Sequence, residues 1–283
     1  MKMQTQTRRL ATAALVSTTA LSAWALTMVP NAIIGGDLNS SDNPFVQPQD
    51  PALSGGGRDQ SQQFGDVLSG TSEDDLVIGR LGVDFIQGFA GDDVLVGGTE
   101  HFNPANRDRA FGGTGSDIFL WSPGDGSDFF DGGPGIDVVV FGLMGELDDM
   151  GNLGFGVSMD MQAGDVFIDP VTGLPLMDVP ASPGFCEVID ESSSPEAAAE
   201  LAALGVDELV QFFIRGIANS FGSTQNDDNG LRVTLHLKDV EALVCTNRDG
   251  GLIEVVNLTV SPPEIIPLSD VTRRVPNLAA LLR

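Results

Sequence analysis

Gly88-Phe-Ala-Gly-Asp-Asp-Val-Leu-Val96, Gly112-Gly-Thr-Gly-Ser-Asp-Ile-Phe-Leu120 and Gly132-Gly-Pro-Gly-Ile-Asp-Val-Val-Val140 are three nonapeptides built on one plan. Each has glycine at positions one and four, aspartate at position six and apolar residues at positions seven and eight. A fourth copy, Gly79 to Gln87, precedes them directly. A fixed short period of this kind marks a repeat architecture, in which one structural unit is stacked many times.

Degenerate copies extend the pattern in both directions. Gly70 to Ile78 carries Glu73 at the fourth position, and a partial copy ends at Ser69. Gly97 to Phe111 and Trp121 to Asp131 keep the frame but hold insertions, the larger around His101 to Ala105. In this frame the sixth position is Asp66, Asp75, Asp84, Asp93, Asp108, Asp117, Asp128 and Asp137, an aspartate in every copy. The eighth is Leu68, Val77, Ile86, Leu95, Ala110, Phe119, Phe130 and Val139, apolar in every copy. Aspartate alone often caps a tight turn, but that role does not keep eight copies in phase with an apolar register.

Each copy reads as a glycine-rich turn followed by a three-residue strand whose middle side chain points inward. Two copies make one coil of a solenoid, with a turn on either side. Strands of successive coils stack about 4.8 Å apart, so aspartates two copies apart share an edge. One edge takes Asp66, Asp84, Asp108 and Asp128, the other Asp75, Asp93, Asp117 and Asp137. Both insertions fall on the first edge. Carboxylates stacked this closely repel one another unless a cation lies between them.

The region from Gln62 to Phe141 resembles the hemolysin-type calcium-binding repeat, the RTX β-roll. The resemblance implies that each Ca²⁺ sits between two turns, held by repeat aspartates and backbone carbonyls. On this chain it makes the eight aspartates the side-chain ligands and puts Gly82, Gly91, Gly113, Gly115, Gly133 and Gly135 in the carbonyl-donating turns. Roughly three to six ions are expected, fewer where Thr71, Ser72 and Glu73 replace turn glycines or where insertions intervene. Oxygen-only donors suit Ca²⁺ better than Zn²⁺ or Mg²⁺.

Composition agrees with a cation partner. Forty acidic residues against 14 basic ones give a formal charge of -26, which would repel nucleic-acid phosphates and anionic lipid. With 42 % apolar residues and 35 glycines the chain lacks the signature of disorder. The expected partners are therefore calcium ions, with no nucleic acid.

The N-terminus places Lys2, Arg8 and Arg9 before an uncharged apolar run from Leu10 to Val29, with Ala23-Trp24-Ala25 as a cleavage site. Residues 1–25 read as an export signal and imply a secreted or cell-surface destination, the competing reading being a retained membrane anchor. Cys186 and Cys245 are the two cysteines. In an exported chain they fit one disulfide, and two buried thiols are the alternative.

The expected fold is mainly β: a parallel β-roll over 62–141, followed by a β-rich region with one or two short helices. Residues 26–61 read as a linker or N-terminal cap. The β-rich region spans 142–263, with strands at Gly156 to Met161, Leu231 to Leu237, Ala242 to Cys245 and Leu252 to Val260. A helix opens at Ser194-Pro195-Glu196 and runs through Ala203, and a second is expected from Asp207 to Ala218. The tail, 264–283, ends in a short helix from Pro276. Seventh-position residues (Val67, Leu76, Phe85, Val94, Ile118, Phe129 and Val138) form an apolar outer row broken only by Arg109. Such a row needs cover, from the C-terminal half or from a surface partner.

Catalytic motifs are missing. His101 and His236 are the only histidines, and neither a His-Glu-x-x-His site nor a Gly-x-Ser-x-Gly elbow occurs. Asn226-Asp-Asp-Asn-Gly230 resembles the start of an EF-hand loop, but His236 stands where its closing Glu belongs. The leading reading is a non-enzymatic, exported calcium-binding protein with a surface, matrix or adhesion role. The alternative is a small polysaccharide-active enzyme on a β-solenoid, for which Trp121, Arg107 and Arg109 would have to line an acidic groove.

Overall fold

The computed structural model describes residues 31–35, 65–80, 82–98, 107–148, 150–155, 166–215 and 232–283. The export signal, the strand expected at 156–161, the insertion around His101 and the 226–230 loop lie outside these residues. Among the described residues no helix is long and apolar enough to cross a membrane.

Alternating short strands and turns build the roll as the period requires. After β1 (Asn31–Ile34) come β2 (Val67–Ser69), β3 (Asp75–Ile78), β4 (Phe85–Ala90) and β5 (Val94–Val96). They are followed by β6 (Arg109–Thr114), β7 (Ile118–Trp121), β8 (Phe129–Asp131) and β9 (Val138–Phe141). Even-numbered strands pair in parallel in one sheet and odd-numbered ones in a second. The register keeps repeat positions aligned: Ile86, Ala110 and Phe130 stand side by side, as do Leu95, Phe119 and Val139. β1 extends the odd sheet, pairing Asn31 with Asp75, so the segment read as a linker contributes a strand.

The C-terminal half completes both sheets. It contains β10 (Leu143–Leu147), β11 (Leu153–Phe155), β12 (Met177–Asp178), β13 (Gly184–Ile189), α1 (Pro195–Leu204) and β14 (Glu208–Ile214). Then follow β15 (Arg232–Lys238), β16 (Ala242–Thr246), β17 (Ile253–Asn257), β18 (Glu264–Ile266), α2 (Leu268–Thr272) and α3 (Pro276–Leu281). β15 lies parallel to β8 and β16 parallel to β9, so this pair forms one more coil of the roll. Beyond it the sheets turn antiparallel through β14 and β13 on one side and β17 and β18 on the other.

α1 starts as expected: Ser194 caps it by accepting from the Ala197 N–H at 3.0 Å, Pro195 occupies its first turn, and Gly205 closes it with a left-handed φ of 71°. The second helix expected from Asp207 to Ala218 is instead β14, paired with β13 and β15 along its length. Its Leu-Val-Gln-Phe-Phe-Ile run is bulky and β-prone, and a place between two strands overrides the helical reading.

Two apolar cores result. Eighth-position side chains fill the space between the sheets, and Phe119 stacks on Phe130 at 5.3 Å. At the C-terminal end Trp121, Phe141 and Phe212 continue this core, each fully buried. Outside the odd sheet, seventh-position Leu76, Val94, Ile118 and Val138 are wholly buried beneath Met144, Met177 and the helical tail, including Val271, Leu278 and Leu281. The even sheet is less covered: Val67 is 39 % exposed, and Phe85, Phe111 and Phe129 form a half-buried aromatic row. Intramolecular cover thus reaches one outer face fully and the other in part.

Cys186 on β13 and Cys245 on β16 form a disulfide that ties the even sheet to the odd one. It closes a separation of 59 residues, for which the chain-entropy model gives about 4 kcal/mol of stabilisation. Reducing the bond, or replacing both cysteines by serine, should lower stability by about 2–4 kcal/mol in urea unfolding at saturating Ca²⁺. An unchanged midpoint would show that the two sheets are held without it.

Candidate metal centre

The repeat aspartates form two ladders along the turn edges. On the first, the Asp66 N–H donates to Asp84 Oδ1 at 2.5 Å, Asp84 N–H to Asp108 Oδ1 at 2.7 Å, and Asp108 N–H to Asp128 Oδ1 at 3.0 Å. On the second, Asp75 N–H donates to Asp93, Asp93 to Asp117 and Asp117 to Asp137, each at 2.8 Å. The edges are those that the nine-residue period assigns, and all eight sixth-position aspartates are brought together on them.

In most of these carboxylates one oxygen is left for something else. Asp84, Asp93, Asp117, Asp128 and Asp137 are at most 1 % exposed, and the Oδ2 of each is buried without a hydrogen bond. Asp75 departs from the pattern: Thr71, which replaces a turn glycine, donates to its Oδ2 through both N–H and hydroxyl, and its Oδ1 is the oxygen without a bond. Burying an ionised carboxylate without a partner is costly enough that the group either finds a cation or takes up a proton. Burial accordingly pushes Asp93 and Asp137 up to about 8 and Asp117 up to about 7, with neighbouring carboxylates adding to the shift. Asp84 and Asp128 move the same way for the same first reason.

The turns bring backbone oxygens to these carboxylates. At Gly70 an added Cβ would stand 2.5 Å from the Gly88 carbonyl oxygen and 2.9 Å from Asp75 Oδ2. The same two kinds of oxygen converge at Gly79 (Gly97 O and Asp84 Oδ2) and at Gly88 (Gly112 O and Asp93 Oδ2). Gly82 lies in a turn of the first edge, while Gly91, Gly113, Gly115, Gly133 and Gly135 lie in turns of the second. Gly113 and Gly133 hold the repeat's second position at φ 112° and 89°, where a side chain is strained. Arg80 and Phe89 occupy that position in other copies, both at φ 80°. Among the described residues no three His, Cys, Asp or Glu side chains converge to hold a metal by themselves. The donors that the turns do bring together are carboxylate and carbonyl oxygens, the all-oxygen set that Ca²⁺ accepts in numbers of roughly six to eight.

Several participants escaped the sequence reading. Glu241, in the short turn between β15 and β16, continues the second ladder by accepting the Asp137 N–H at 2.7 Å. Asp74 and Asp92 form a parallel ladder at the fifth position: Asp92 N–H donates to Asp74 and Ser116 N–H to Asp92, each at 2.8 Å. The Asp74-Asp75 and Asp92-Asp93 doublets were the available signal. Asp125, in the inserted turn before β8, is buried with Oδ1 lacking a hydrogen bond, and burial drives it well above the carboxylate range.

Comparison with known proteins identifies the segment. The family model for the RTX calcium-binding nonapeptide repeat matches four copies, over residues 69–101 and 124–139. No curated protein and no solved structure gives a significant match. The chain thus carries RTX repeats, and Ca²⁺ is their cofactor. The buried, partly bonded carboxylates and the carbonyl-lined turns fit that ion.

Two outcomes follow. In the metal-free fold these aspartates have raised pKa values, so folding takes up protons, and the metal-free roll should lose stability as pH rises from about 4 to about 8. Ca²⁺ binding should release protons and tighten over the same interval, which calorimetry in buffers of different ionisation enthalpy reads directly; pH-independent affinity would refute it. Phe89 is half exposed and strained, so Phe89→Gly should raise stability by about 1 kcal/mol in chemical unfolding with Ca²⁺ present.

Proposed function

We propose that this chain is an exported, non-enzymatic calcium-binding protein that folds on meeting Ca²⁺ outside the cell and serves a surface, matrix or adhesion role. The observation that carries the reading is the row of fully buried carboxylates whose second oxygens have no hydrogen bond. At low calcium these groups resist burial as anions, and at millimolar calcium they become ligands, so metal binding and folding are one process.

Export is supported by the basic and then apolar N-terminus and by the Cys186–Cys245 bond, since such bonds persist in oxidising compartments. A surface role draws support from the half-buried row of Phe85, Phe111 and Phe129 beside exposed Phe89 and Val67, an apolar strip on the less covered sheet. The polysaccharide-enzyme reading finds less: Trp121 is fully buried against Phe141 and Phe212, out of reach of a sugar ring.

Far-UV circular dichroism should show a chelator-treated chain gaining strand signal on addition of millimolar Ca²⁺ and not of Mg²⁺. Identical spectra with and without the metal would defeat calcium-driven folding. Mass spectrometry of the secreted protein should find a new N-terminus near Ala25, and an intact Met1 on cell-associated protein would defeat cleavage and export.

A further inference from the structure

A second acidic site lies away from the repeat turns. α1, the start of β14 and the loop after β17 line a half-open cavity of about 410 Å³. Four carboxylates line it and no lysine or arginine does so among the described residues. Glu208 is 7 % exposed, and its Oε2 is buried with no hydrogen-bond partner. Asp190, 5 % exposed, is a finished anion site by contrast: the hydroxyls of Ser192, Ser193 and Ser261 donate to it at 2.7, 3.1 and 2.8 Å.

The two acids are poised differently. Burial pushes Asp190 up, but the serine hydroxyls outweigh burial and leave it below the ordinary carboxylate range. Glu208 is pushed up to about 8 by burial first and then by the Asp207 and Asp190 charges. Near neutral pH the cavity thus holds a fixed negative charge beside a mostly protonated carboxyl whose ionisation an arriving positive group favours.

A bare metal ion does not match this chamber. Ca²⁺ needs six to eight oxygens at about 2.3–2.6 Å, and no group of three acidic side chains among the described residues converges to supply them. The volume is that of a small-molecule pocket, and its lining includes the aliphatic side chains Leu201, Val206 and Leu258. The complementary ligand carries one positive charge on an apolar body.

We propose that this cavity binds a small aliphatic amine as its ammonium ion, the nitrogen at the Glu208 and Asp190 carboxylates and the alkyl chain against Leu201, Val206 and Leu258. The site is distinct from the calcium ladders, since its carboxylates belong to none of the repeat turns. Glu208 supplies the partnerless oxygen and Asp190 the standing charge.

The test is calorimetric and NMR titration of the full chain, held in millimolar Ca²⁺, with n-butylammonium, using n-butanol as the neutral isostere. One-to-one binding of the amine is expected, with no binding of the alcohol and a several-fold gain in affinity from pH 6 to 8.5 as Glu208 ionises. Glu208→Gln and Asp190→Asn should each weaken binding on the order of tenfold. If either variant loses its circular dichroism, Ala198→Trp, which fills the cavity from α1, should abolish binding with the acids intact. Equal affinity for butanol would reduce the site to an apolar void. Displacement of the amine by added Ca²⁺ from this site would make it a metal site, and no response to about 10 mM amine would remove it altogether. Calcium-dependent folding, read separately, is untouched by any of these results.

Discussion

Asp84, Asp93, Asp117, Asp128 and Asp137 are each tied through one carboxylate oxygen to the amide of the coil before them, and each carries its other oxygen into the protein without a hydrogen bond. The hydrogen bond sets the spacing of the coils, so the ladder cannot relax by moving the charges apart. Desolvation and like-charge repulsion then accumulate with every coil, and apolar packing between the sheets has to hold the stack against them. A divalent ion removes both penalties together by supplying positive charge where the unbonded oxygens and turn carbonyls meet. The same electrostatic fact explains why the strands can be so short: three residues suffice where the turn itself is anchored.

Packing around this ladder is shared between distant parts of the chain. The interior contains one inward side chain per repeat, which is a thin core, and the aromatic group of Trp121, Phe141 and Phe212 thickens it where the C-terminal half joins. β15 and β16 add a coil without a nonapeptide, and Glu241 takes over the hydrogen bond that a further aspartate would have accepted. The disulfide sits in that part of the structure, joining the two sheets just beyond the last repeat coil. Loss of the C-terminal coil would therefore expose both the end of the ladder and the end of the core.

What the sequence disclosed was whatever repeats. Period nine fixed the strand positions, the inward residues and the division of aspartates between edges, because each rests on side-chain alternation and turn chemistry that the neighbouring residues dictate. β14 was misread because Leu209, Val210, Phe212 and Phe213 satisfy a helical face as readily as a strand, and only pairing with β13 and β15 decides between them. β1 was invisible since Asn31-Ala-Ile-Ile34 is one isolated copy with Asn in place of Asp, separated from the repeats by a stretch without periodicity. Glu241 and the cavity beside α1 depend on contacts between residues far apart in the chain, for which local pattern carries no signal.

The two edges of the roll are unequal, and the inequality follows from what surrounds them. Turns on the second edge hold five of the six glycines assigned to carbonyl donation and contain no insertion. α3 reaches that edge directly, where the Asn277 side-chain amide donates to the Asp92 carbonyl at 3.2 Å. First-edge turns carry both insertions, around His101 and before Asp128. Turns without insertions and buttressed by α3 hold carbonyls in place before the ion arrives, so less conformational entropy is lost when it binds. Ca²⁺ affinity should accordingly be ordered by edge, with the second filling first and ordering the shared core on which the first edge then closes.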